Sequence, residues 1–97
     1  MKAVINFKFD NFETEPTEKD VTIDATKVIE TVNSEINKYL EETNSEIYGN
    51  EDLSNTTYYQ GSVDIEVQIK FNDECFSVAE FKDFANNGFK YPDELNY

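Results

Sequence analysis

The segment from Val63 to Phe71 constrains the fold most strongly, because apolar and polar residues alternate through it without a break. Every odd position carries Val, Ile or Phe, and the even positions carry Asp64, Glu66, Gln68 and Lys70. A period of two is typical of a β-strand with one buried and one exposed face. One strand cannot bury its own apolar face, so the segment predicts an antiparallel sheet that packs on a helix.

Two further elements fit such a sheet and helix. Ala3 to Phe9 alternates in the same way and predicts a first strand. From Ala25 onward, apolar residues recur every three or four positions, which is the spacing of one helix face. This spacing predicts a helix that begins after an N-cap at Asp24 and ends near Glu42.

A weaker strand and two polar connections occupy the rest of the first two thirds of the chain. Thr56 to Tyr59 has strong strand propensity, and we expect it at an edge of the sheet. We expect the strand from Val63 to Phe71 near the centre. Residues Asp10 to Asp20 and Ile47 to Asn55 are polar and lack a clear period. They are interpreted as loops, with room for a short strand at Val21 to Ile23.

The C-terminal part begins with a helix signal. Ser77 and Glu80 have the spacing of a capping box, and Gly88 is suited to a left-handed helix end. We therefore expect a short helix between Ser77 and Gly88. The segment Phe89 to Tyr97 that follows is strongly aromatic, so we expect it to lie over the core or to reach a second subunit.

Together these elements predict a small single α+β domain over residues 1–97, with the order β-α-β-β-α. The chain of 97 residues is short enough for one core. Its antiparallel sheet would have about three strands packed on the one long helix, plus the short C-terminal helix.

The charge of the chain is its most unusual property. It carries 21 Asp and Glu against 8 Lys, with no Arg or His, for a net charge of -13. Small soluble domains do well with a magnitude of about 2 to 8, so solubility alone does not require this excess. Disorder is not indicated, because 25 of the 97 residues are Leu, Ile, Val or Phe, above the roughly 20% typical of disordered chains. A basic partner is the simplest reason for the acid.

The residue inventory excludes most catalytic and cofactor chemistry. Without His, neither Ser-His nor Cys-His catalysis is possible, and zinc has no ligand set of the usual spacing. The three glycines, Gly49, Gly61 and Gly88, are isolated, so no phosphate-binding loop exists. The acidic clusters do not match a calcium loop. We therefore expect no enzymatic activity, no bound metal and no cofactor.

The single cysteine and the absence of long apolar runs bear on location. Cys75 cannot form an internal disulfide, and we interpret it as a small buried apolar residue in a reducing compartment. The first residues lack the apolar stretch of an export signal, and no segment approaches the length of a membrane span. These features predict a cytoplasmic protein. Its acidity also disfavours direct binding to nucleic acid or to anionic membranes.

The helix acids are arranged in rows. Glu30 and Glu41 share one face of the predicted helix, and Glu35 and Glu42 share another, while few lysines lie between them. In size, acidity, its Lys-only basic set and its α+β plan, the chain resembles small phage-encoded inhibitors that mimic nucleic acid. These include anti-CRISPR proteins and inhibitors of uracil-DNA glycosylase or restriction enzymes.

The resemblance implies a protein that occupies the basic nucleic-acid groove of a host enzyme, such as a CRISPR effector, in the host cytoplasm. Its carboxylates would take the place of phosphates. The candidate phosphate surrogates are Glu30, Glu35, Glu41, Glu42, Glu51, Asp52, Asp64 and Glu66.

A second hypothesis is a non-enzymatic interaction or structural module that dimerises through its aromatic C-terminus. The distribution of charge distinguishes the two. One contiguous acidic face favours the mimic, whereas evenly spread acid beside a dominant apolar patch favours the module.

Overall fold

A computed structural model describes residues 1–90. In this part of the chain, six strands and two helices follow one another in a β-β-α-β-β-β-β-α order. A short 3-10 turn, Ala25–Lys27, leads into the first helix. The elements are β1 (Lys2–Asp10), β2 (Thr17–Asp24), α1 (Val28–Thr43), β3 (Ile47–Leu53), β4 (Thr56–Gly61), β5 (Asp64–Phe71), β6 (Glu74–Phe76) and α2 (Val78–Asn86).

The strands form one antiparallel sheet with the order β2-β1-β5-β4-β3. The short strand β6 pairs with the end of β5, beyond the residues that pair with β4. β5 is therefore central, as its alternation predicted. Phe7 of β1 lies opposite Val67 of β5, so the apolar positions of both strands lie on one face.

The core lies between this apolar face and the two helices. Ile5, Phe7, Ile65 and Val67 are fully buried in the sheet. α1 covers them with a stripe that includes Val28, Val32 and Ile36, and α2 contributes Phe81 and Phe84. Because strand side chains alternate, the polar positions of β1 and β5 lie on the opposite face.

The predicted sheet of about three strands in a β-α-β-β-α order is wrong. The structure has six strands, because residues interpreted as loops form β2 and β3, and because β6 follows β5 directly. β2 also extends well beyond the short strand considered at Val21 to Ile23. The edge position predicted for Thr56 to Tyr59 is wrong as well, since β3 pairs with the outer side of β4.

The missed strands are largely exposed, which explains why no pattern marks them. Six of the seven residues of β3 are exposed, as are the first four of β2. Their backbone groups bond to a neighbouring strand, and this requires no apolar side chain at alternate positions. The turn into β6 uses Asn72 and Asp73, both with positive φ, a conformation that suits tight hairpins.

Helix boundaries agree with the sequence to within a few residues. The side chain of Asp24 accepts a hydrogen bond from the Thr26 N–H and caps the 3-10 turn Ala25–Lys27, so α1 itself begins at Val28, three residues later than predicted. α1 ends one residue beyond Glu42, with Asn44 in a left-handed conformation. Ser77 and Glu80 form the predicted capping box at the start of α2. These local signals are correct because caps depend on residues within a few positions of one another.

A buried hydroxyl joins the β3–β4 hairpin to α2. Thr57, with 0% exposure, donates to the Asp52 Oδ1 at 2.5 Å and accepts from the Val78 N–H at 2.7 Å. Glu80 strengthens the same junction, because its Oε1 accepts from the backbone N–H groups of Ser77 and Asn55. The hairpin and the helix start are therefore held by a shared polar network.

Replacing Thr57 by Val keeps the side-chain shape but removes this hydroxyl. We expect the free energy of unfolding to fall by about 1–3 kcal/mol, because the partly buried Val78 N–H loses its acceptor. Urea unfolding followed by circular dichroism measures the change. Thr22→Val on the exposed side of β2 is the matched control and should stay within about 0.5 kcal/mol. Equal stability of the two variants would contradict the proposed network.

Candidate functional site

The open face of the sheet is the candidate functional site. We define it as the face away from α1 and α2, and neither helix covers it. Its side chains come from alternate positions of five strands, and most of them are polar. The open face includes Val4, Asn6, Lys8, Asp10, Glu18, Asp20, Glu51, Tyr58, Asp64, Glu66, Gln68 and Lys70.

Strand register brings acidic residues from four strands to one end of this face. Asp10 of β1 lies directly opposite Asp64 of β5. In the next row, Glu66 lies between Lys8 and Tyr58. That row continues to Glu18 of β2 beyond Lys8 and to Glu51 of β3 beyond Tyr58. We call Asp10, Glu18, Glu51, Asp64 and Glu66 the acidic end.

Tyr58 lies within the acidic end. Its hydroxyl donates a hydrogen bond to the Asp64 Oδ2 at 2.9 Å. This hydrogen bond raises the pKa of Tyr58 above its usual value, and partial burial and the negative charges of Asp64, Glu66 and Asp10 raise it further. The hydrogen bond and the strand register therefore place three carboxylates from two strands around one phenol.

Within residues 1–90 these carboxylates form no salt bridge, although Lys8 lies opposite both Glu18 and Glu66 in the sheet. Within residues 1–90, salt bridges join Lys19 to Glu35 at 2.7 Å and the Met1 amino group to Asp24 at 3.8 Å. Neither involves the acidic end. Asn6 instead bridges two acids of β2 through its amide, at 2.9 Å to Glu18 and 2.7 Å to Asp20.

The two ends of the open face differ in charge. Lys8 is exposed and lies beside the acidic end, without a salt bridge to either acid opposite it. Lys70 occupies the far end, near Lys2. The acidic end therefore lies at one end of the strands, whereas Lys2 and Lys70 lie at the other end, where Asp24 is opposite Lys2.

The eight predicted surrogates do not share one surface. Asp64, Glu66 and Glu51 lie in the acidic end of the open face, in two rows and on two strands. Asp52 lies on the other side of β3 and accepts from Thr57. The α1 residues Glu30, Glu35, Glu41 and Glu42 belong to the helix layer, on the opposite side of the sheet.

Sequence reasoning missed Asp10, Glu18, Asp20 and Tyr58 as parts of this site. Asp10 continues the polar positions of the first strand, which is the one sequence signal that could have suggested it. Glu18 and Asp20 lie in a segment without a clear period, so the sequence does not indicate which face of the sheet they occupy. Tyr58 joins the site only because β4 lies between β3 and β5.

Other predicted features have the following places in the structure. Cys75 is half-buried in β6, opposite Lys70, rather than fully buried. Phe89 packs against Phe71 and Phe84, whereas residues 91–97 of the aromatic segment lie outside the described residues.

Among residues 1–90, no group of three or more thiols and carboxylates is arranged to hold a metal ion. Neither α1 nor α2 is long and apolar enough to cross a membrane.

Comparisons with protein-family models, with curated proteins and with solved structures find no match to this chain. The site geometry is therefore the basis for the function proposed below.

The opposed pair Asp10 and Asp64 gives a direct test of repulsion at the acidic end. Asp10→Asn retains an oxygen that can accept from the Phe12 N–H and removes one charge. We expect the variant to be more stable by about 0.2–1 kcal/mol at low salt, because like charges directly across a sheet are destabilising.

The gain should shrink at about 0.5 M salt, where exposed charges are screened. Urea unfolding at both salt concentrations measures it, with Glu13→Gln in the β1–β2 loop as the charge-matched control. A loss of stability at low salt in Asp10→Asn would show that the two carboxylates do not repel.

Proposed function

We propose that this protein is an acidic inhibitor that binds the basic nucleic-acid groove of a nucleic-acid-processing protein. The open face, and within it the acidic end, is the binding surface. Carboxylates there take the positions that phosphates occupy in the natural ligand, and the role is an anti-defence one of the anti-CRISPR kind. The partner is a cytoplasmic host protein, and the inhibitor itself performs no chemistry.

The like-charge pair of Asp10 and Asp64 carries this proposal. Opposed carboxylates in adjacent strands reduce stability, and a sheet selected for stability alone would place Lys opposite Asp. Both side chains belong to the face that the helices leave free, so the repulsion is present on the surface that a partner can reach. A basic partner would relieve this repulsion on binding.

The spacing of the acids also supports the proposal. Opposed residues in adjacent strands have Cβ atoms about 4.5–5.5 Å apart. Asp64 and Glu66 lie two positions apart on one strand, which separates them by about 6.8 Å. The acidic end therefore has charges several ångströms apart in two directions, as duplex DNA has along and between its strands.

The net charge adds a kinetic advantage. A charge of -13 attracts a basic groove over distances of about a Debye length and accelerates association at low salt. The helix acids contribute to this long-range field even though they lie on the other side of the sheet. Their proposed role is steering, whereas the acidic end makes the contacts.

A capture experiment with competition by DNA tests the proposal. The full-length protein is immobilised, a bacterial lysate treated with nuclease is applied at about 0.05 M salt, and bound proteins are eluted with purified duplex DNA. Mass spectrometry should identify a nucleic-acid-processing enzyme in the DNA eluate, since inhibitor and DNA would compete for one groove.

The same column run at about 0.5 M salt should retain far less of that enzyme. Proteins that DNA does not displace, or that stay bound at high salt, would contradict the phosphate-mimic mechanism and support an ordinary interaction module.

A further inference from the structure

The outer edge of β3 is an unpaired strand edge. β3 ends the sheet order, so the backbone groups on its outer side have no strand neighbour in residues 1–90. Natural edge strands are often protected by Lys or Pro. The sequence of Ile47–Leu53 contains neither, whereas the opposite edge strand β2 includes Lys19. The two edges of the sheet are therefore not equivalent.

Apolar side chains lie at both ends of this edge, which also carries Glu51, Asp52 and a register shift between Ile47 and Gly49. Tyr48 is 76% exposed and Leu53 is 49% exposed, and these are two of the four large hydrophobic residues exposed in the described part of the chain. Between β3 and α1 runs a groove of about 560 Å³ whose walls include Leu40, Ile47 and Tyr59. A strand added beside β3 could place alternate side chains over this groove.

Acidic residues surround the same edge. Glu41 and Glu46 line a depression next to Tyr48, and Glu51 and Asp52 belong to β3 itself. A second copy of this chain is a poor occupant, because two molecules of charge -13 repel each other and β3 would bring acid against acid. A segment rich in Lys or Arg has the complementary charge.

We propose that β3 binds an extended basic segment of a partner protein as an additional strand of the sheet. Backbone hydrogen bonds along the outer side of β3 would hold the segment, and Tyr48 and Leu53 would contact its apolar residues. Its cationic side chains would lie against Glu41, Glu46 and Glu51. Of the acidic end this binding mode uses Glu51 alone, so it does not depend on the phosphate-mimic function.

A defined peptide tests the proposal on the full chain. The probe is a capped eight-residue peptide in which lysine alternates with valine or threonine. In nuclear magnetic resonance titrations of the isotope-labelled protein, we expect chemical-shift changes that concentrate in residues 47–53. Amide exchange in β3 should slow by about tenfold or more once its outer groups are bonded.

A second peptide of the same sequence separates strand pairing from charge attraction. Methylation of two adjacent central amides removes donors from both of its edges and leaves its charge unchanged. We expect this peptide to bind at least tenfold more weakly. Equal binding of both peptides, the absence of binding at millimolar concentration, or shifts centred on the open face would each overturn the proposal.

Two protein variants complete the test. Glu51→Lys should weaken binding of the unmodified peptide, because it reverses a charge beside the proposed strand. The triple variant Asp10→Asn, Asp64→Asn, Glu66→Gln should bind that peptide with little change, since those residues lie outside β3. A loss of binding in the triple variant but not in Glu51→Lys would place the peptide over Asp10, Asp64 and Glu66 and refute the edge assignment.

Discussion

The variant Asp10→Asn, Asp64→Asn, Glu66→Gln is expected to bind the captured nucleic-acid-processing enzyme about tenfold more weakly than the wild-type protein, or weaker still. Each lost carboxylate removes an exposed ion pair with the partner, worth about 0.2–1 kcal/mol, so three losses sum to about 0.6–3 kcal/mol, a range centred near the roughly 1.4 kcal/mol of a tenfold change. The substitutions are nearly isosteric, and they also relieve the repulsion between Asp10 and Asp64. The folded domain should therefore remain intact.

A helix variant with the same change in net charge is the matched control. Glu30→Gln, Glu41→Gln, Glu42→Gln also removes three carboxylates, but from α1 on the other side of the sheet. We expect this control to bind more slowly and to keep most of its affinity, because it weakens steering without removing contacts. Biolayer interferometry over a salt series gives both the rates and the affinities.

The affinities of the two triple variants distinguish binding through the acidic end from binding through α1 or through net charge. Equal losses in the two triple variants would show that binding follows net charge and not the acidic end. A larger loss in the helix variant would transfer the contact surface to α1 and contradict the assignment made above.

Phe81→Ala is expected to produce the largest loss of stability among the substitutions considered. Phe81 has 0% exposure, and its ring lies 5.6–6.2 Å from the rings of four other phenylalanines. Truncation of a buried Phe costs about 3–5 kcal/mol, which is a large part of the 5–15 kcal/mol that stabilises a typical domain. Removal of the Phe81 ring should weaken the packing of α2 against β5 and β6.

Urea unfolding measured by circular dichroism gives the free energy of unfolding for each variant. Phe12→Ala is the control, because Phe12 is 63% exposed, and it should change stability by about 0.5 kcal/mol or less. If Phe81→Ala does not fold, Phe81→Leu provides a milder test of the same contacts. Wild-type stability in both Phe81 variants would contradict the central position of this side chain.

The elements that the sequence predicted correctly are those with a local or periodic signal. β5 and β1 alternate because one side of each is buried, and α1 carries an apolar stripe because one face packs on the sheet. The capping box of α2 requires only Ser77 and Glu80. In each case the residues that indicate the element lie within it or next to it in the sequence.

β2 and β3 were missed because their partners, and not their own side chains, make them strands. β3 is nearly all exposed, and its sequence includes Gly49, Asn50 and Asp52, which are uncommon in strands. β3 forms by backbone hydrogen bonding to the edge of β4 that faces away from β5. A single sequence carries little information about such pairing when no apolar face has to be buried.

The candidate site was predicted only in part for the same reason. The solvent-facing position of Asp64 and Glu66 followed from alternation, and the structure agrees with it. Which residues lie beside them depends on strand register. Asp10 is 54 positions away from Asp64 along the chain, yet it lies directly opposite in the sheet. No local pattern relates the two residues.

Three properties follow from the amino-acid sequence alone: the chain is strongly acidic, it has enough bulky apolar residues to fold, and a central alternating strand packs against an amphipathic helix. These properties depend on composition and on short-range period. The location of the acid depends on the tertiary structure, because β-pairing joins residues far apart in the chain. Strand pairing divides the acid between the open face and the helix layer, and within residues 1–90 it leaves the outer side of β3 without a strand neighbour.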